Sequence, residues 1–250
     1  MLLKLGFCLG AAVLVLALVQ HGKLPDATRL RAELFAEPYQ QALPGPLSQA
    51  AFRTEVGGVQ YTIEPSHRYE IRGLVVSKHN ANAWWDWVHA ASKDHLNVTD
   101  LCVIWGDNTS AAVYTQIYRD IAFSSGQWTC NFETASTAAY QAFNLNQIAN
   151  NHLLTNNPRL AAKLRQVRIG DQIQLTGHLV TYRHQQGMNF VRATSTVRTD
   201  TGIGACEVVF ADDLRVIKAA PIGWLLTAWA SAIGMVCCAA AGLARPHRAR

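Results

Sequence analysis

Two strongly apolar stretches, one near each end of the chain, carry no charged side chain: Leu5 to Gln20, and Ala219 to Ala244. About 20 apolar residues are enough for a helix to cross the hydrocarbon core of a bilayer. The second stretch, AAPIGWLLTAWASAIGMVCCAAAGLA, has that length and stops at the Arg-rich tail RPHRAR. Trp224 and Trp229 lie in its first half, and amphipathic indole rings favour the membrane interface. Gly234, Ala239 to Ala241 and Gly242 are small enough for a second helix to approach closely. The first stretch, LGFCLGAAVLVLALVQ, is shorter and follows a single Lys4, the pattern of a secretory signal's basic start and apolar core. No small-x-small cleavage site precedes HGKLP, and Phe7 stands before Cys8 where a lipidation site needs a small residue. An uncleaved signal anchor is therefore expected, with a removed signal as the alternative.

Lys and Arg near the spans set the orientation. Arg245, Arg248 and Arg250 argue for a cytoplasmic C-terminus. Lys23, Arg29 and Arg31 pull the other way, but a region of about 200 residues translocates largely regardless of its charge. The expected topology is a helical hairpin with both tips in the cytoplasm and the body outside. This divides the chain into an anchor (residues 1–20), an amphipathic helix and linker (21–58), an extracytoplasmic α+β domain (59–218), a second transmembrane helix (219–244) and a basic tail (245–250). All 17 acidic residues and 18 of the 22 basic ones lie between the apolar stretches, so the body is at +1 while the whole chain carries +5. Four of the five excess charges are at the tips. The basic pI is therefore no sign of a nucleic-acid surface, because backbone binding needs a basic groove. Half of the residues are hydrophobic, which excludes a disordered chain.

Within the body, Pro25 to Glu37 suggests an amphipathic helix capped by Asp26, with Leu30, Leu34 and Phe35 on one face. Ala42 to Gln49 reads as a linker by its Pro and Gly content. VQYTIEP and YEIRGLVVS read as strands, with Gly73 marking a bulge or a close approach. Ala81 to Ser92 has helical spacing that puts Trp84 and Trp87 toward the core and leaves Trp85 partly exposed. LCVIWG and QWTCNFE are short strands; helices are expected over 138–150 and over 157–167, the latter with Pro158 at its first position. Gly170–Arg183, Phe190–Arg198 and Ala205–Ile217 then read as three antiparallel strands. The fold expected is α+β, a small antiparallel curved sheet or partly open β-barrel with flanking helices.

The segments DLCVIWGDN, NNHLLTNN, GDQIQLTGHLV and TSTVRTDTGIGACEVV, in that order, resemble an uncharacterised family of bacterial membrane-anchored proteins. The resemblance covers roughly Tyr61 to Ile217, and the last segment is its most specific part. It implies a bacterial source and one shared folded module, and it assigns no functional residue. With it, the membrane of the expected topology becomes the bacterial inner membrane and the body becomes periplasmic.

Six cysteines are present, three of them in the apolar ends. An oxidising periplasm lets disulfides persist, and Cys102 with Cys130, on neighbouring short strands, makes the most economical bridge, against three unpaired buried thiols. Cys206 is then the odd thiol, and His152 is a candidate base for it, with Asn150 or Asn151 to orient the imidazole. The plainer reading of Cys206 is strand packing. The histidines show neither the C-x-x-C nor the H-E-x-x-H spacing of a metal centre, so no metal is expected and they read as scattered solvated or hydrogen-bonding side chains. Nothing in the sequence implies a cofactor. Asp200 before Thr-Gly reads as a turn-closing carboxylate with Arg198 close to it, Asp100 and Asp107 likewise flank LCVIWG, and Arg192 with Glu207 is a candidate cross-strand ion pair. Trp85, Arg198 and Asp200 are the candidate binding residues.

Two functions follow. The favoured one is a non-catalytic, membrane-tethered extracytoplasmic binding or interaction module, with the bilayer and another envelope protein or cell-wall component as partners and no nucleic acid. The alternative is a periplasmic thiol-dependent enzyme using Cys206 with His152.

Overall fold

The computed structural model describes residues 2–21, 23–46, 50–110, 113–116, 121–186, 190–197, 199–200 and 205–244. The chain opens with α1 (Leu2–His21), followed by strands β1 (Tyr39–Ala42), β2 (Phe52–Val56) and β3 (Val59–Asn80). Next come α2 (Trp87–Ser92), β4 (Asn97–Ile104), the short helices α3 (Asp107–Ser110) and α4 (Val113–Gln116), and the hairpin β5 (Ile121–Gly126) and β6 (Thr129–Thr134). Then follow α5 (Thr137–Ala142), β7 (Ile148–Leu154), α6 (Pro158–Gln166), β8 (Gln172–His184), β9 (Phe190–Arg192), β10 (Glu207–Lys218) and α7 (Gly223–Leu243). Two compact units result: Met1–Pro25 with Ala220–Arg250, and Asp26–Ala219.

In the first unit α1 and α7 pack antiparallel, with Gly6 opposite Cys238 and Gly10 opposite Met235. A Cβ on Gly10 would come within 2.8 Å of Met235 Cγ, so the close approach requires glycine there. Leu5, Leu9, Val15, Leu18, Trp229, Ile233 and Val236 all turn outward, and Ala17 and Ala228 are the buried apolar positions. Both helices are long and apolar enough to cross a membrane.

The second unit is α+β, and its sheet is mixed and strongly curved rather than all antiparallel. β3 pairs with β4 by its second half (Leu74 to Asn80) and with β8 by its first (Thr62 to Leu74). β4 pairs with β7, β7 runs parallel to β10, and β10 pairs antiparallel with β8. The pairing path β3–β4–β7–β10–β8 thus returns to β3, with β1, β2 and β9 attached at its margins. The length of β3 makes this possible. Pro65, which has no N–H to give a ladder, stands at a register shift. At Gly73 a Cβ would fall 2.3 Å from Val103 and 2.7 Å from the Ile104 carbonyl, which is the close approach expected there.

The main core lies inside this curvature and includes Tyr69, Ile71, Val75, Leu101, Val103, Trp105, Leu153, Ile173, Leu175, Leu179, Val209 and Leu214. Helix α6 adds Leu160 and Leu164 to it. Asn157 caps α6 by accepting from the N–H groups of Arg159 and Leu160, with Pro158 at the first position. At the other end, the half-buried Lys78 donates its ammonium to the carbonyls of Arg165 and Val167 at 2.9 and 2.6 Å, groups that a helix C-terminus leaves unpaired.

Several local expectations change. Two short 3-10 turns, Ala27–Arg29 and Ala32–Phe35, replace the amphipathic helix. Gln172 bonds the Arg31 N–H and the Arg29 carbonyl and holds the intervening backbone extended. Segment 26–58 belongs to the second unit, because β1 and β2 pair with β3; residues 47–49 of the expected linker lie outside the described residues. Helix 138–150 shrinks to α5, and its end becomes strand β7. There the inward-facing polar Asn151, which accepts from Tyr69 Oη at 3.0 Å, hides the alternation of Ala149 and Leu153. Of the last three expected strands, the middle one is only three residues long. Trp84 and Trp87 do not face the core; they are 96% and 71% exposed.

Candidate functional site

On the face of β3, β4 and β7 away from the core, polar side chains from six parts of the chain meet, most of them buried. Asp86 caps α2, accepting from the His89 N–H at 3.0 Å. Its Oδ2 also accepts from His79 Nε2 at 2.6 Å and His89 Nδ1 at 2.5 Å. His89 Nε2 receives the Trp128 indole N–H at 2.8 Å and faces the Asn97 amide nitrogen at 2.9 Å. That amide also donates to Asp100 Oδ1 at 3.0 Å. Asp100 Oδ1 lies 2.7 Å from His152 Nδ1, and His152 Nε2 receives the Arg192 guanidinium. Arg192 in turn stacks 4.4 Å above the Trp128 ring, so the circuit closes on itself. The β5–β6 hairpin crosses this face and is fastened to it by Ser77–Ser125 (2.7 Å) and by Cys102 and Cys130, whose Cα atoms are 5.5 Å apart at disulfide-bonding distance.

Donor chemistry fixes the protons. An indole N–H and a guanidinium can only donate. His89 and His152 therefore each present a lone pair at Nε2 and carry the proton on Nδ1, directed at a carboxylate. Burial alone would raise Asp86, but hydrogen bonds from His79, the His89 backbone and the His89 ring outweigh it and hold the carboxyl below its ordinary value. Asp100 is likewise held low, burial being outweighed by His152 and Asn97. His152 is pushed down, chiefly by burial and further by Arg192, against the pull of Asp100. Alongside, Tyr182 Oη donates to Asp94 Oδ2 at 2.5 Å. Asp94 is raised by burial, and the same burial raises Tyr182.

His79, Asp86 and His89 offer ligand atoms within 4.8 Å of one another. Their donor set suits proton sharing rather than a cation: His89 uses its lone pair to accept from Trp128, and its protonated nitrogen is the one facing Asp86. A buried ionic network of this kind adds little net stability, but it fixes the orientation of the side chains it joins. Trp128 shows the same emphasis. It sits at φ 64°, in the left-handed region that bulky residues avoid, within the turn between Gly126 and Thr129.

The circuit reaches the surface at Trp85. This ring, 47% exposed, lies 4.7 Å from the His79 ring, and its carbonyl accepts from the Gln127 amide. Trp84 precedes it in the turn after β3, and Trp87 follows as the first residue of α2.

The remaining candidates are placed as follows. His152 has both ring nitrogens engaged, by Asp100 and Arg192. Cys206 interacts with the Asn150 side chain, and burial pushes its thiol up, away from the thiolate a nucleophile needs. Asp200 accepts from the Ser195 hydroxyl, the role of a turn-closing group; Arg198 lies outside the described residues. Arg192 is directed at His152 and Trp128, and Asp100 is a buried partner of His152 rather than a turn carboxylate. The histidines are not all scattered: His79, His89 and His152 are buried in one network. The only local signal for it was Asp86 three residues before His89, a capping pattern at the start of a helix. No protein-family model matches the chain, and no curated protein or solved structure matches it.

Proposed function

We propose that the chain is a binding module of the bacterial envelope, held outside the inner membrane by two spans, with both tips in the cytoplasm. The apolar pair α1 and α7 and the Arg-rich tail support the tether. So does an arrangement inside the second unit: Lys218 Nζ donates to the Arg29 carbonyl at 2.8 Å, so the two ends of the folded body leave it side by side, as a hairpin anchor requires.

The strand order supports binding. A path in which the first strand pairs with both the second and the fourth, and the third lies parallel to the fifth, resembles the oligonucleotide/oligosaccharide-binding fold. That fold takes ligands on its second and third strands and on the loops joining first to second and fourth to fifth. Here those parts are β4, β7, residues 81–96 and residues 185–206, and all four contribute to the circuit. The observation that carries the reading is the exposed tryptophan cluster backed by this network, in which Asp86, His89, Asn97, Asp100, His152, Arg192 and Trp128 fix one another's orientation behind the surface. No observation favours the thiol enzyme, since His152 has no nitrogen left for Cys206.

Protease added to intact spheroplasts tests the placement. The body is expected to be digested while a cytoplasmic control survives; a body that stays protected until lysis would contradict the reading.

A further inference from the structure

We propose that Trp84, Trp85 and Trp87 form a stacking platform for the glycan strands of the cell wall, a polymer of hexopyranose rings. The inference rests on the envelope-module reading and names its ligand class. Three indole rings within four residues, 96%, 47% and 71% exposed, make an apolar patch where the loop after β3 enters α2, and such patches mark contact surfaces.

Three features select a sugar. The first is rigidity. Trp85 rests on His79, His79 on Asp86, Asp86 on His89, and His89 on Trp128 and Asn97, so the plane of the exposed ring is set by a chain of buried hydrogen bonds. An indole dissolved in lipid headgroups needs no fixed plane, whereas stacking on the C–H face of a pyranose does. The second is charge. No Lys or Arg occurs between Lys78 and Lys93, Lys78 is bound to the end of α6, and the one carboxylate of the loop, Asp86, is buried between two imidazoles. A phosphate-bearing polymer or anionic lipid needs cations that this loop lacks. The Gln127 amide, which donates to the Trp85 carbonyl, and the exposed Asn82 two residues before Trp84 are neutral amides, which suit sugar hydroxyls as donors and acceptors. The third is position, since the loop joins the first and second strands of the pairing path, where this strand order takes oligosaccharides.

The test uses the full chain in polyoxyethylene micelles, which carry no sugar headgroup, and co-sedimentation with purified peptidoglycan sacculi. Retention is expected to be saturable and competed by chitohexaose. Trp85→Ala is expected to weaken it at least tenfold, and Trp84→Ala and Trp87→Ala each several-fold. These rings are exposed, so the variants keep the fold, which the melting temperature checks. Absence of retention, retention unchanged in the triple alanine variant, or retention that chitohexaose does not compete would each overturn the proposal. So would reconstitution into bilayers of brominated phosphatidylcholine if the fluorescence quenching, to which Trp224 and Trp229 of α7 also contribute, is clearly smaller in Trp84→Ala/Trp87→Ala than in the unaltered chain, because the rings then belong to the membrane. None of these outcomes alters the spheroplast result, so a failure of this inference remains distinct from a failure of the tethered-module reading.

Discussion

Reducing the Cys102–Cys130 bridge is expected to destabilise the second unit by an amount that the chain itself sets. The two cysteines are 28 residues apart. In the chain-entropy account, a loop of that length restrains the unfolded chain by about 3.6 kcal/mol at 25 °C, a shift of roughly four hundredfold in the folding equilibrium. For a unit of this size each kcal/mol moves the midpoint by about 2–4 °C, so melting should fall by about 7–14 °C. The assay is thermal unfolding of the full chain in micelles, followed by near-ultraviolet circular dichroism with and without prior reduction. Thiol counting accompanies it. Cys8, Cys206, Cys237 and Cys238 are the free cysteines, so the denatured chain should take four alkyl groups before reduction and all six after it. A local effect is also expected, because the bridge holds the hairpin that presents Trp128 to His89: the Trp128 indole N–H should exchange with solvent faster once the bridge is reduced. Six labels without reduction, or a midpoint unmoved by a reduction that raises the count from four to six, would refute the reasoning.

Acidification should destabilise the fold, beginning near pH 6.5. His152 is depressed by burial, so its contribution is complete above the ordinary histidine value and is lost as the pH falls through its lower folded value. Asp86 and Asp100, also depressed, add their losses below the ordinary carboxylate value near 4. Asp94 is raised and acts in the opposite sense, contributing most at acid pH. Urea unfolding at pH 8, 7, 6 and 5 measures this, and stability that is flat or rising from pH 7 to 5 would contradict it. Tyr182→Phe removes the donor to buried Asp94 and is expected to cost about 1–3 kcal/mol in the same assay; a neutral result would mean the carboxyl finds another partner. Cys206 should react with iodoacetamide more slowly in the folded chain than in urea, since its thiol is pushed up. A faster folded-state rate would restore it as a nucleophile.

The sequence made those parts legible whose physics is local. Charge-free runs of the right length gave the two apolar helices, Asn157-Pro158 gave the start of α6, and strand patterns gave β8, β10 and two pieces of β3, which is one continuous strand from Val59 to Asn80. The bridge was legible because two cysteines outside the apolar ends fell on neighbouring β-rich segments. The parallel pairing of β7 with β10 was not legible, since it joins segments more than 50 residues apart and an inward asparagine disguised β7 as the end of a helix. The circuit was hidden for a similar reason. His79, Asp86, His89, Asn97, Asp100, Trp128, His152 and Arg192 are ordinary residues at unremarkable spacings, and only the return of the strand path to β3 brings them together. Helical spacing misplaces Trp84 because the helix begins only after Asp86 caps it, and Trp87, its first residue, lies on the solvent side. Residues before the cap sit in turns, where amphipathic spacing predicts nothing.

One labelling measurement tests both halves of the account, placement and exposure. With Cys8, Cys206, Cys237 and Cys238 replaced by serine and Trp84 by cysteine, intact spheroplasts are treated with a membrane-impermeant maleimide. The account predicts rapid modification of position 84 without lysis. Modification only after lysis would put the loop on the wrong side of the membrane, and none even after lysis would show that the ring is not on the surface at all.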